Sequence, residues 1–236
     1  MKIRVKFAKY GPVRFIGHLD VMRYFQKAVR RAELPVSYSG GYSPHQIMSF
    51  AYPLSVGYTS EGEYFDLALD SSMDTEIIKN KLQSVMVYGI DVLAVQELSD
   101  NATNAMASVA AATYYITFKN KCNLNNDFYT LMEKYLDQPH INVVKETKKS
   151  EKTIDIKDYL FHYSFPICKI NNVDEEEKIR CLMTTDASSS GNLKPSFIIE
   201  SFCKNKGIEL PEFAYSIHRI ETLQRVDNQL VPLIYE

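Results

Sequence analysis

Two breaks, Gly11-Pro12 and Leu34-Pro35, bracket the segment that most constrains how this chain can fold. Between them Met22, Phe25, Val29 and Ala32 recur at helical spacing, while Arg23, Lys27, Arg30 and Arg31 fall off that stripe. A proline disfavours helical geometry in the residue before it, so the helix that begins at Gly17 or His18 ends near Glu33. A helix with one apolar stripe must lie on another layer. Ile3, Val5 and Phe7, alternating with charged residues, predict a strand just upstream that supplies it.

The same reading continues along the chain. Short strands are predicted at 36–38 and 46–50, and another on Tyr64, Phe65, Leu67 and Leu69. A helix follows over 74–86 with Ile77, Ile78, Leu82 and Val85 inward, then a strand over 90–98. The order β-α-β-β-α-β is the ferredoxin-like arrangement. Residues 99–112, rich in Asn, Ala and Ser, read as a linker or weak helix. A second set of strands (113–118, 141–144, 179–184, 215–222) and helices (125–135, 195–204) follows it. The fold class is therefore α+β, with two ferredoxin-like units in tandem: a first domain over 1–100 and a second over 113–236. The stretch 186–196, DASSSGNLKPS, is expected to be a flexible loop leading into the last helix.

Composition excludes several classes. With 45% apolar and 24% charged residues in 236, the chain reads as an ordinary globular protein. No apolar run approaches the ~18 residues of a membrane span. The start, MKIRVKFAKYG, reads as a strand and not as a signal peptide. Cys122, Cys168, Cys181 and Cys203 are scattered without CxxC spacing, which suits reduced structural thiols in the cytoplasm. No metal and no cofactor bound by this chain alone is expected. Charge is segregated: residues 1–50 hold nine Lys/Arg against Asp20 and Glu33, and residues 51–100 hold Lys79 and Lys81 against nine acids. Such a distribution either attracts a polyanion or cancels when the segments fold together.

Unusual residue types are densest over 9–63. Arg23, Lys27, Arg30 and Arg31 present planar and point-like cations suited to phosphate, unless they form only a solvated face. Ser39, Gly40, Gly41, Tyr42, Ser43, Pro44 and His45 make a loop whose glycines let backbone N–H groups approach a ligand, or a tight turn between strands. It has no GK[ST] ending and no G-x-G-x-x-G spacing. His18 and His45, with Asp20, Glu61 and Glu63 in the region, are candidates for ligand contact, acid-base chemistry or a metal, or for helix capping and loop bonding. Lys145, Lys148, Lys149 and Lys152 read as a charged hairpin tip, and Asp174 to Glu177 as solvated surface. Sixteen tyrosines and no tryptophan suit either ordinary packing or a surface that stacks bases.

Four motifs in order, Arg14-Phe15-x-x-His18-Leu19-Asp20-x-x-Arg23, Arg30-Arg31-Ala32-x-Leu34-Pro35, Tyr38-Ser39-x-Gly41-Tyr42-x-Pro44-His45 and Pro53-Leu54-x-x-Gly57, resemble the radical SAM-linked protein family. This is a bacterial domain family encoded beside, or fused to, radical SAM proteins. The resemblance is strong over about residues 1–100. The chain departs from the family at Gly17, where Ser is common, and at Ser43 and Gln46, where Asn and Pro are common. The resemblance implies a radical SAM partner and a link to RNA or ribosome-associated components. The chain has no CxxxCxxC cluster motif and so is not the radical SAM catalyst.

The resulting expectation is an accessory module that recognises or presents a tRNA or rRNA. Arg14, His18, Asp20, Arg23, Lys27, Arg30, Arg31, Ser39, Gly41, Tyr42 and His45 would form the binding surface. The alternatives are a metal-independent endoribonuclease of RAMP-like architecture, by analogy of fold, and a protein-protein interaction subunit without RNA contact.

Overall fold

Strand β1 (Lys2–Lys9) runs antiparallel to β3 (Thr59–Ala68) on one side and to β4 (Ile90–Leu98) on the other. The computed structural model describes residues 1–119, 126–146, 151–169 and 177–234. Period-2 geometry sends Ile3, Val5 and Phe7 to one face, where α1 (His18–Arg31) and α2 (Thr75–Gln83) cover them. Phe25 of α1 sits 4.7 Å from the Phe7 ring and 4.8 Å from Phe65. Val21, Ala28, Val29 and Ala32 are buried with it, and Met22 packs at the edge. Asp74 caps α2 by accepting from the Glu76 and Ile77 backbone N–H groups. Ile78 and Leu82 then point inward, whereas Ile77, expected inside, is exposed.

The opposite face of β1 is only partly solvated, with Lys2 exposed and Lys6 half-buried. Arg4 is buried, pairs through two nitrogens with Asp66 at 2.8 and 3.1 Å, and donates to the Thr103 and Leu233 carbonyls. Residues 99–112 contain α3 (Ala105–Ser108), capped by Asn104, and the start of β5 (Val109–Phe118).

The chain divides into two compact units. One comprises Met1–Ala110 with His218–Glu236, the other Ala111–Ile217. In the second, β10 (Glu177–Asp186) pairs with β5 and with β8 (Leu160–Ser164). Its core gathers Ile116, Cys181, Met183, Ile198, Ile199 and Phe202, supplied in part by α5 (Pro195–Lys206); α4 (Asn126–Leu136) adds Met132 and Leu136. Strands β6 (Asn142–Glu146) and β7 (Glu151–Asp155) form a separate hairpin. Residues 186–193, expected to be flexible, are wound around Asp186. Its carboxylate accepts from the Ser188 N–H and hydroxyl at 2.7 and 2.6 Å, and its carbonyl from Leu193 N–H.

The expectation of two discrete ferredoxin-like units in tandem is overturned. Outside the β6–β7 hairpin, the described strands run β4-β1-β3-β11 in the first unit and β5-β10-β8 in the second, with three short strands beside them. These are β2 (Met48–Phe50), β9 (Ile167–Lys169) and β12 (Gln229–Pro232). The deciding element is β11 (Tyr215–Val226), which pairs in parallel with β3 through His218–Thr59 and Arg219–Ser60. Alternation in a sequence marks a strand but not its partner. A return from residue 218 to residue 59 therefore left no local trace.

Among the described residues no helix is long and apolar enough to cross a membrane.

Candidate functional site

The helix stripe that buries Phe25 and Val29 turns Arg23, Lys27, Arg30 and Arg31 outward, and all four are exposed. They are not equivalent. Arg23 lies 3.7 Å from Asp20. Arg31 donates to the Val85 carbonyl at 3.2 Å and rests over the Tyr24 ring. Lys27 and Arg30 have no ion pair among the described residues. In the 3-10 turn Gly11–Phe15 that precedes the helix, Arg14 is exposed with its guanidinium 4.7 Å from the Phe15 ring centroid. Phe15, Leu19 and Val56 are more than half exposed, an apolar edge beside the cations.

The loop over 39–45 is closed at its neck. Ser39 N–H donates to the His45 carbonyl at 2.8 Å, and His45 N–H to the Ser39 hydroxyl at 3.1 Å. The same hydroxyl lies 2.8 Å from His45 Nδ1. Gly41 adopts φ 98°, a region that favours glycine, and Tyr42 beside it is fully exposed. His45 borders a cleft of about 250 Å³ with Lys2 and Asp66, and His18 borders a different one. Gln46, though next to His45, turns to α1 and donates to the Gln26 carbonyl.

Beneath α1 lies a cluster that the motifs did not announce. Lys9 and Arg219 are each 2% exposed and Glu63 is 6% exposed. Arg219 donates to Glu63 Oε1 at 2.8 Å, to the Tyr52 carbonyl at 2.9 Å and to the Pro53 carbonyl at 3.3 Å, with its guanidinium over the Tyr52 ring. Lys9 donates to the Ile16 carbonyl at 2.9 Å. Two buried cations thus hold the two loops that carry Arg14-Phe15 and Pro53-Leu54. Gly57 N–H closes the lacing by donating to the Arg14 carbonyl at 2.8 Å. The sequence did hold a signal. Lys9 continues the Ile3-Val5-Phe7 series, and Glu63 leads the Phe65-Leu67-Leu69 series, so both occupy inward positions of alternating strands. Arg219 follows the buried Ile217 in the same way.

His18, the first residue of α1, roofs this cluster. Its ring meets Phe50 edge-on at 5.5 Å and borders a cavity of about 10 Å³, room for one water, together with Lys9 and Glu63. Burial lowers the His18 pKa; Glu63 opposes that shift and Lys9 adds to it. Burial likewise lowers the Lys9 pKa, against Glu63 and with Arg219. Because the folded His18 pKa is below its unfolded value, the unfolded chain takes up the proton first. The stability it allows is full above the unfolded pKa, ~6.5, and falls as pH drops through the folded one. Urea unfolding from about pH 7.5 to 5 should show wild-type stability falling with acidification, and His18→Asn flattening that fall. Parallel curves would refute this role.

Among the described residues no group of three or more His, Cys, Asp or Glu side chains is placed to hold a metal ion. Cys181 and Cys203 are buried, which pushes their thiols up to about 12 and about 11, Glu200 adding to the second. Such thiols are poor nucleophiles. Cys122, Lys148, Lys149, Asp174, Glu175 and Glu176 lie outside the described residues.

Residues 2–195 match the family described as "Uncharacterized protein conserved in bacteria (DUF2344)". The chain belongs to that family. No curated protein matches it. The match spans α1, the loop over 39–45, Lys9 and Glu63, whereas Arg219 lies beyond it. What the arrangement can do follows from its parts. The buried charges are committed to backbone carbonyls and to one another, so they act as a frame. The exposed cations, Phe15 and Tyr42 lie outside that frame and face solvent.

Proposed function

We propose that this protein is a cytoplasmic accessory module that binds RNA, a tRNA or rRNA, through the outer face of α1 and the loop over 39–45. Its partner would be a radical SAM enzyme, a role that rests on the resemblance of the four motifs. The observation that carries the RNA reading is the exposure of Lys27 and Arg30, unpaired among the described residues and aligned with Arg23 on one helix face. Arg14 beside Phe15, and the outward Tyr42, supply the stacking groups that single-stranded RNA readers use.

Fluorescence anisotropy with labelled RNA tests it. Three phosphate contacts give a salt slope of about −2, hence roughly a 16-fold affinity loss between 50 and 200 mM salt. Lys27→Glu with Arg30→Glu should weaken binding at least about tenfold and flatten that slope by about 1–2. Salt-insensitive binding, or an unaffected double variant, would overturn the reading.

The exposed Phe15, Leu19 and Val56 favour a second reading, a protein-protein surface for the same partner. Co-purification that survives nuclease treatment, and is lost in Leu19→Asp, would select it. The endoribonuclease reading loses its fold analogy, because the tandem units it needs are absent. His18 and His45 also border separate cavities.

A further inference from the structure

The second unit has a cleft of its own between β6 and α5. It measures about 660 Å³, inside the range of small-ligand sites, and continues into another of about 320 Å³, since Val144, Ser201 and Lys204 border both. Its charge is one-sided. Lys145 of β6, Lys194 at the start of α5 and Lys204 near its end all line it, against a single acid, Glu200. Lys194 and Lys204 have no ion pair among the described residues, and Lys145 donates to the Asn192 carbonyl at 2.9 Å. α5 opens without a side-chain cap, so the positive end of a 12-residue helix lies at the same rim.

The rim is also pre-set. The turn wound on Asp186 fixes residues 188–193, and a Cβ on Gly191 would meet the Asp186 carboxylate at 2.2–2.3 Å, so a side chain there would push aside the group that holds the turn. The lysines are spread out instead of converging on one point. Lys194 and Lys204 are ten residues apart on one helix, about 15 Å along its axis. One phosphate cannot engage both, but successive phosphates of a strand can. Ser196 and Ser201 stand between them as hydroxyl donors, and Phe197, half-buried in the wall, offers a ring face to a base.

We infer that the β6–α5 cleft binds a short segment of single-stranded RNA, its phosphates along Lys194, Lys145 and Lys204 and a base against Phe197. The site is separate from α1 and does not depend on the α1 reading. The test uses the full chain and a six-nucleotide RNA carrying 4-thiouridine, at low salt. Cross-links are mapped by mass spectrometry, and affinity is followed by anisotropy.

Cross-links to the peptide holding Phe197 and Ser201 are expected. They should disappear, with at least a tenfold loss of cleft-dependent affinity, in Lys194→Glu/Lys204→Glu. Lys206→Glu, on the same helix but outside the cleft, should change neither. If charge reversal unfolds the protein, Lys194→Ala/Lys204→Ala gives the same comparison. Cross-links confined to residues 14–45 would overturn the cleft and leave the α1 reading intact. The reverse pattern, with Lys27→Glu/Arg30→Glu also silent, would do the opposite. AMP competing as well as the hexamer would overturn the strand geometry.

Discussion

Glu63→Ala is expected to destabilise the first unit by about 3–5 kcal/mol, the usual cost of removing one partner from a buried charge set. Arg219 would keep its bonds to the Tyr52 and Pro53 carbonyls but lose its carboxylate, while being 2% exposed. Lys9, equally buried, would lose the nearby negative charge that opposes its desolvation. The measurement is the urea midpoint, with wild-type m-value as the check that the same surface unfolds. Glu63→Gln, which keeps an acceptor for Arg219 without the charge, should fall between the two.

The pH dependence gives a second handle. The Lys9 pKa is already below its ordinary value, so around that range the unfolded chain binds more protons than the folded one, and stability rises with pH toward ~10.4. Removing Glu63 deepens the shift and widens that window. The deficit of Glu63→Ala should therefore shrink as pH rises from about 7 to 10. A deficit that is constant with pH, or below about 1 kcal/mol, would mean that these charges do not act together. The consequence reaches the surface, because the cations position the loops bearing Arg14-Phe15 and Pro53-Leu54.

What the sequence disclosed, and what it withheld, divides along the distance between partners. The helix over 18–31 and its outward cations were legible because helical spacing is local. So were β1, β4 and most of β11, whereas β12 was not foreseen. The identity of β3 as the neighbour of β11 was not, since it joins residues 59–60 to 218–219. Alternating charge in β1 marked a strand but not what covers its charged face: Arg4 is buried there by Asp66 and by carbonyls of residues 103 and 233, which no window on β1 contains. In the candidate site the exposed residues were found by type, and the frame beneath them was missed. Glu63 was named only as a neighbour of the histidines and Lys9 was not singled out, because the partner that explains their inward parity, Arg219, lies more than 150 residues from Glu63.

Gly62→Ala, one position before Glu63, should be comparably severe for a different reason. An added Cβ would lie 2.5 Å from Glu221 Cα, 2.8 Å from the Ile220 carbonyl oxygen and 2.9 Å from Glu221 N. All three are backbone atoms of β11, so no rotamer change relieves the overlap; the strands must separate. Overpacking typically costs 1–3 kcal/mol, and a backbone clash belongs at about the top of that range or beyond. The separation would strain the Thr222 hydroxyl bond to the Gly62 carbonyl, 2.6 Å, and the Arg219–Glu63 pair one step along. Hydrogen exchange should show accelerated amides around residues 59–62 and 218–222, with those of α1's centre affected later. Because both variants damage the Arg219–Glu63 contact, Gly62→Ala combined with Glu63→Ala should cost less than the two singles added together, by about 0.5–3 kcal/mol. Strict additivity would show that the glycine spaces the strands without setting the charge pair. A silent Gly62→Ala would remove β11 from beside β3, and with it the argument against two tandem ferredoxin-like units.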